Sequence, residues 1–202
     1  MANTYIFTSM NKNRLEAFSD GVLAIIITIM VLELKVPHGE TLRDLYTVLP
    51  AFFAYAQSFW FVGVYWNNHH HLLHTVKKVN GTIMVLNMLL LFCLSLVPFA
   101  TAWVGETKFA PIPVAAYAVI LVTCSFAWTI LQNAIKKFNP WSQPVATAMQ
   151  RQSTKGVIST VMYLSGIPLA FLNPFISEAL FVTVAVMWLW PDKNLEKAFE
   201  HE

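Results

Sequence analysis

The sequence predicts an all-α integral membrane protein with six transmembrane helices, which form a single domain over residues 1–202. Composition is the first reason, since 56% of the residues are hydrophobic and 12% are charged, against about 25% charged residues in ordinary soluble domains. Length is the second, because a membrane-spanning helix needs about 20 apolar residues and 202 residues accommodate six such helices with short connections. The formal net charge of only +2 gives no indication of a nucleic-acid partner.

Six apolar runs, separated by polar, Gly or Pro residues, define the expected spans. In order, they cover residues 18–34, 45–66, 82–104, 114–135, 157–172 and 175–190. Residues 136–156 form the longest connection, and we interpret this stretch as an interfacial segment because Trp141 stands there beside several basic residues. Asn173 and Pro174 are a short connection, which predicts a hairpin between the last two spans.

Three prolines inside these runs predict local features of the helices. Pro50 is expected near the first turn of the second span, where a missing backbone N–H is tolerated. Pro98 predicts a kink in the third span, and Pro168 predicts a bend in the fifth.

The distribution of Lys and Arg predicts which ends of the helices face the cytoplasm. With six spans, ten basic residues fall on one side of the membrane: Lys12, Arg14, Lys77, Lys78, Lys136, Lys137, Arg151, Lys155, Lys193 and Lys197. The other side receives only Lys35, Arg43 and Lys108. Because cytoplasmic loops carry an excess of Lys and Arg, both termini are expected in the cytoplasm.

A group of polar residues stands at the beginning of the first apolar run, namely Arg14, Ser19 and Asp20, together with Phe18. An ionisable side chain that enters a membrane helix is costly and usually faces the protein interior or a water-filled path. Asp20 is therefore a candidate functional residue. The simpler alternative is that Ser19 or Asp20 caps the start of the helix by accepting hydrogen bonds from free backbone N–H groups.

Partners for this group are expected at the end of the second span, which is crowded with amphipathic side chains. They include Trp66, Asn67, Asn68, His69, His70, His71 and His74. Arg14 and Asp20 are six residues apart and lie on different faces of a helix, so each needs a partner from another helix. Because the second helix returns to the side where the first begins, we expect Trp66, His70 or His74 to help link the two helices.

The histidines also invite a metal interpretation, because His70 and His74 are four residues apart and would share a helix face. No Cys, Asp or Glu stands beside them in the sequence to complete a coordination sphere. We therefore expect no metal site and no cofactor.

One face of the first helix carries a regular stripe of residues spaced by four, three and four positions. The stripe consists of Gly21, Ile25, Thr28 and Leu32. Branched apolar groups with one hydroxyl and no carboxylate suit a narrow, mostly dry constriction on an oligomer axis. Ile and Leu at helical spacing are, however, also typical of ordinary packing or of a lipid-facing surface.

The sequence contains little that indicates an enzyme. It has no Gly-rich phosphate loop, no His-Glu-x-x-His helix and no nucleophile elbow. A secondary transporter is a remaining alternative, in which Asp20 and a histidine would relay protons or ions, although such proteins more often show two related halves. A membrane scaffold without transport activity is a third class.

The motif Arg14-x-x-x-Phe18-Ser19-Asp20, followed directly by an Ile-rich helix, resembles the first-helix signature of the endolysosomal potassium channels of the transmembrane protein 175 type and their prokaryotic relatives. The resemblance extends to the six-span plan and to the His- and Trp-rich end of the second helix. In that family the first helices surround the pore, and bulky aliphatic side chains form the constriction.

Alignment at Phe18-Ser19-Asp20 implies that the constriction lies at Ile25, with a hydroxyl position at Thr28 and a further apolar position at Leu32. Animal members of the family carry two six-span repeats and assemble as dimers, so a chain with one repeat implies a homotetramer. The resemblance thus implies a cation channel of the bacterial plasma membrane that passes potassium with modest preference over sodium.

Overall fold

The computed structural model describes residues 11–189, and all regular secondary structure within this range is helical. The all-α prediction is therefore confirmed. In chain order the helices are α1 (Lys12–Leu32), α2 (Leu42–His74), α3 (Gly81–Ser95), α4 (Val97–Glu106), α5 (Pro111–Phe138), α6 (Gln143–Leu172) and α7 (Pro174–Leu189).

Helix α1 begins two turns earlier than the apolar run. Asn11 is its N-cap, and the Asn11 side chain accepts a hydrogen bond from the backbone N–H of Asn13 at 3.1 Å. Ser19 and Asp20 therefore lie inside the helix, where backbone N–H groups already have intrahelical partners. This excludes the alternative that either residue caps the helix.

Helix α2 is longer at both ends than the predicted span of residues 45–66. It begins at a capping box in which the hydroxyl of Thr41 accepts from the backbone N–H of Asp44, and the carboxylate of Asp44 accepts from the backbone N–H of Thr41. Pro50 consequently lies two turns inside the helix, and its predicted position near the first turn is wrong. At its other end, the helix continues beyond the apolar run, and the histidines form its polar last turns.

The third predicted span is divided into α3 and α4 by a break at Leu96. Pro98 stands in the first turn of α4 and has no backbone N–H to bond the preceding turn. The break therefore lies where Pro98 predicts a kink. Together the two helices form one apolar segment over Gly81–Glu106 that is long enough to cross a membrane.

The long connection predicted over residues 136–156 is wrong, because α5 continues to Phe138 and α6 already begins at Gln143. The helices continue into sequence of low hydropathy since helix length is set by backbone hydrogen bonds and not by apolar length alone. The short remaining loop is fixed by Asn139, whose side-chain oxygen accepts from the backbone N–H groups of Lys77 and Lys78 at 2.9 and 2.8 Å.

Helices α6 and α7 form the predicted hairpin around Asn173. The hydroxyl of Ser177 donates to the carbonyl of Gly166 at 2.8 Å, and the indole of Trp188 donates to the hydroxyl of Ser159 at 2.9 Å. Pro168 lies within an uninterrupted α6.

By length and composition, five segments of the described residues are able to cross a membrane: α1, α2, α3 with α4, α5, and α6. Helix α7 is a shorter apolar helix of 16 residues, and Trp190, the last residue of its predicted span, lies outside the described range.

Contacts between loops show which helix ends lie together. The α2–α3 and α5–α6 loops meet through Asn139. At the opposite end, the ammonium of Lys35 pairs with the carboxylate of Glu106, which raises the pKa of this lysine. The first end carries most of the basic residues of the described range. Lys193 and Lys197, which complete the predicted ten, lie outside that range.

The core surrounds α5, which packs against α3, α4, α6 and α7. Helix α1 packs against α2, α3 and α4 at the margin of this core, so a large part of its surface is left uncovered by its own chain. Gly105 allows α4 to approach α2 closely, because a Cβ at this position would lie 2.7 Å from the Cα of Ala51.

We predict that Gly105→Ala destabilises the protein by about 1–3 kcal/mol, the usual cost of overpacking a filled contact. The new methyl group meets backbone atoms, which cannot move aside as a flexible side chain can. Thermal unfolding of the purified protein in detergent measures the effect. Gly156→Ala is the matched control, since a Cβ there has no atom within 4 Å; equal loss of stability in both variants would contradict the close approach of α4 and α2.

Candidate functional site

Helix α1 has one face that is buried within its own chain. This face consists of Leu15, Ser19, Leu23, Ile26 and Met30, spaced by three or four residues. Because α2, α3 and α4 cover this side of the helix, the orientation of α1 about its axis is defined by contacts within one chain.

The predicted stripe lies on the side of α1 opposite the buried face. Ile25 is 58% exposed and Leu32 is 80% exposed, whereas the neighbouring Ile26 is 4% exposed. Gly21 and Thr28 are exposed as well. The hydroxyl of Thr28 donates to the carbonyl of Ile25 at 3.0 Å, so its oxygen lone pairs stay available on the uncovered side.

A buried chain of hydrogen bonds joins α1 to α3 and α2. The side-chain amide of Asn87 donates to the hydroxyl of Ser19 at 2.9 Å, and Ser19 donates in turn to the carbonyl of Leu15 at 2.8 Å. The side-chain oxygen of Asn87 lies 2.7 Å from Nε2 of His69. Because that oxygen can only accept, Nε2 of His69 must carry a proton. Ser19, His69 and Asn87 are all almost fully buried.

Three further contacts link α1 and α2. The indole N–H of Trp66 donates to the carboxylate of Asp20 at 3.0 Å. Nδ1 of His70 lies 2.9 Å from Oε1 of Glu16. The ammonium of Lys12 donates to the backbone carbonyl of His74 at 3.0 Å. These groups are more exposed than the buried chain, so each contributes less to stability.

Several predicted site residues are brought together, and others are not. Trp66 and Asp20 are in direct contact, but His70 contacts Glu16 and not Asp20. His74 contributes its backbone carbonyl to the link with α1. Arg14 and Phe18 are exposed, and within residues 11–189 neither makes a side-chain hydrogen bond to α2.

Four residues that make the contacts between α1, α2 and α3 were not among the predicted site residues: Lys12, Glu16, His69 and Asn87. Asn87 is an amide in the middle of an apolar helix, and an intramembrane polar residue is itself a sign of an interhelical hydrogen bond. Glu16 lies four residues before Asp20, on the same helix face, and was within reach of the same reasoning. In the described part of the chain, no group of three or more His, Cys, Asp or Glu side chains is arranged to hold a metal ion.

Comparison with known proteins identifies the family of this chain. The family model of the endosomal/lysosomal potassium channel TMEM175 matches residues 14–98. A potassium channel of Chryseobacterium sp. (strain P1-3) is 51% identical over 191 residues, which cover 95% of this chain and 99% of that protein. The chain belongs to the TMEM175 family.

Further relatives extend this similarity to the fold of the family. A potassium channel of Streptomyces collinus is 32% identical to this TMEM175-family chain over 85% of its length and 86% of the relative. The crystal structure of a lysosomal potassium-selective channel TMEM175 homolog from Chamaesiphon minutus matches with a TM-score of 0.78 at 27% identity, covering 88% of this chain and 96% of that structure. The resemblance seen in the sequence is thus confirmed, and the buried hydrogen-bond chain lies within the segment that the TMEM175 model matches.

We predict that Asn87→Leu destabilises the protein by about 1–3 kcal/mol, because it leaves the protonated nitrogen of His69 buried without an acceptor. Unfolding of the purified protein in detergent measures the change. Asn133→Leu, at an exposed position of α5, is the matched control and should leave stability nearly unchanged. An Asn87→Leu protein as stable as this control would show that the buried chain does not hold α1 in place.

Proposed function

We propose that this member of the TMEM175 family is a potassium-permeable cation channel, formed by four copies of the chain. In the assembly, the four α1 helices surround a central axis and present Ile25, Thr28 and Leu32 to the ion path. Family membership supports the activity, since the similar bacterial proteins are named potassium channels.

One observation supports the position of the pore: the stripe of α1 is uncovered although the opposite face is fully packed. Ile25 and Leu32 are among the most exposed apolar side chains of a helix whose neighbouring Ile26 is buried. A single helix cannot enclose an ion path, so a pore on this face needs other copies of the chain. Four copies related by rotation bring four Ile25 side chains together at one level.

The composition of the stripe sets the expected selectivity. A ring of Ile25 or Leu32 offers a cation no oxygen ligand, and the sequence contains no Thr-Val-Gly-Tyr-Gly filter that would replace the hydration shell with carbonyl groups. Discrimination then depends on pore radius, on residual hydration and on the hydroxyl of Thr28. A modest preference for potassium over sodium is the consequence.

The contacts between α1 and α2 have a positioning role in this proposal. They hold the basic end of α1 against α2 and α3 and fix the rotation of α1 about its own axis. Because neighbouring residues are separated by about 100° around the helix, rotating α1 by one residue position would replace Ile25 by Ile26 in the pore.

Orientation in the membrane follows from the clustered basic residues. Lys12, Arg14, Lys77 and Lys78 share one end of the helix bundle with the α5–α6 loop. By the positive-inside rule this end faces the cytoplasm, so both termini are cytoplasmic in a protein of the bacterial plasma membrane.

We expect the purified protein to have the mass of a tetramer in detergent and to give unitary currents in planar bilayers. With potassium on one side of the bilayer and sodium on the other, the sign of the reversal potential should indicate a preference for potassium. Its magnitude should be well below the value for an ideally selective pore. A proton- or ion-coupled secondary transporter, the alternative function, would give flux without unitary currents. A monomer with the same currents would contradict the arrangement around a shared axis.

We predict that Ile25→Ala widens the constriction, raises the unitary conductance and weakens the preference for potassium. Single-channel recording of the reconstituted protein measures all three changes. Ile26→Ala is the matched control, because it removes the same side-chain atoms at the next position, which lies on the buried face of α1. Truncation of a buried Ile costs about 2–5 kcal/mol, so this variant should yield less folded protein with unchanged currents. Equal effects of both variants on conductance would show that another face of α1 lines the path.

A further inference from the structure

The exposed stripe of α1 continues beyond Gly21 towards the N-terminus of the helix. Phe18 precedes Gly21 by three residues, and Arg14 precedes Phe18 by four, so both follow the spacing of the stripe. Arg14 and Leu32 are 18 residues apart, which is about five full turns of an α-helix. Arg14 is exposed, and Phe18 is 48% exposed. The line of side chains that contains Ile25 therefore ends, at its basic end, in a guanidinium group.

The two acids in this part of α1 are directed towards α2. Oε1 of Glu16 lies 2.9 Å from Nδ1 of His70, and the carboxylate of Asp20 accepts from the indole N–H of Trp66 at 3.0 Å. Around the helix, Glu16 is about 160° and Asp20 about 120° away from Arg14. In the described part of the chain, no acidic side chain forms an ion pair with Arg14. The negative charges are thus held away from the stripe, and the positive charge remains on it.

Rotational symmetry leaves Arg14 without an acidic partner at the axis of the proposed tetramer as well. Rotation brings the same residue of each copy to the axis at one level, so Arg14 of one copy faces Arg14 of the others. The N-terminus of α1 carries the positive end of the helix dipole, which adds to the field of the guanidinium groups. Anionic lipid headgroups, which attract basic residues at the membrane surface, do not reach a side chain that is directed towards the axis.

We propose that Arg14 forms a ring of positive charge at the cytoplasmic mouth of the pore, and that this ring makes cations pass more readily into the cell than out of it. The inference rests on the proposed function, since only the assembled pore brings the four side chains together. A fixed positive potential lowers the local concentration of cations at the cytoplasmic entrance, so fewer cations enter from that side.

Entry from the opposite side is affected much less. Along α1, Arg14 and Leu32 are separated by about 27 Å, whereas the Debye length in physiological salt is only about 8 Å. The field of the guanidinium ring therefore acts on one entrance of the pore. This difference between the entrances is the origin of the expected asymmetry in the current.

Salt is expected to remove this asymmetry. The Debye length is about 10 Å in 0.1 M salt and about 3 Å in 1 M salt. The field of the ring therefore reaches ions near the axis in dilute solution and is largely screened in concentrated solution. An asymmetry that arises from the shape of the pore, such as the position of the constriction at Ile25, is not screened by salt.

The experiment records currents in inside-out patches excised from giant spheroplasts that express the full-length protein, because the cytoplasmic side is then known. The ratio of inward to outward current at equal and opposite voltages is measured with the same KCl solution on both sides, at about 0.1 M and then at about 1 M. Arg14→Gln removes the charge, Arg14→Lys keeps it, and Arg14→Glu reverses it. Lys137→Gln is the matched control, since it removes an exposed charge from the same end of the bundle outside α1.

We expect the inward current of the parent protein to exceed the outward current by about twofold or more in dilute salt, and by much less in concentrated salt. Arg14→Gln should abolish the difference, and Arg14→Glu should invert it. Arg14→Lys and Lys137→Gln should both behave as the parent does.

Equal parent currents in the two directions in dilute salt, or a larger outward current, would overturn the inference. So would a current ratio that is unchanged in Arg14→Gln, or one that Lys137→Gln lowers by the same factor. If the Arg14 variants have no effect while Ile25→Ala raises the unitary conductance, only the role of Arg14 is wrong. A parent protein that gives no currents would overturn the proposed function and this inference together.

Discussion

The arrangement of this protein depends on one buried hydrogen-bond chain, Ser19 to Asn87 to His69. It joins α1, α3 and α2 in an apolar surrounding, where a polar group without a partner costs far more than it does in water. The three side chains satisfy one another through bonds of 2.7 and 2.9 Å. Rotating α1 by one residue would move Ser19 away from Asn87 and break the bond that joins α1 to the other two helices. The hydrogen-bond chain therefore specifies a single orientation of this helix.

That orientation explains why α1 has two such different faces. Leu23, Ile26 and Met30 are directed into the protein by the same rotation that leaves Ile25 and Leu32 uncovered. An isolated copy therefore carries an apolar surface that it cannot bury by itself. In the proposed tetramer this surface becomes the wall of the ion path, and the position of the pore follows from a hydrogen bond on the far side of the helix.

The sequence predicted helix class, order and approximate position well, and helix ends less well. Hydropathy reports how long a segment is apolar, whereas α2 and α6 continue through polar residues because caps and backbone hydrogen bonds decide where a helix ends. The capping box at Thr41 and Asp44 and the cap at Asn11 are visible as residue types in the sequence. The apolar pattern alone predicts that both helices start later than they do, and it therefore places Pro50 in the wrong turn.

By itself, the sequence determined the membrane-spanning helical class, the family resemblance and the stripe of α1, since each of these depends on composition or on spacing within one segment. Only the tertiary structure decided which polar groups are partners. Ser19 and Asn87 are 68 residues apart, and His69 was selected over its neighbours His70 and His71 by the direction in which α2 presents each ring.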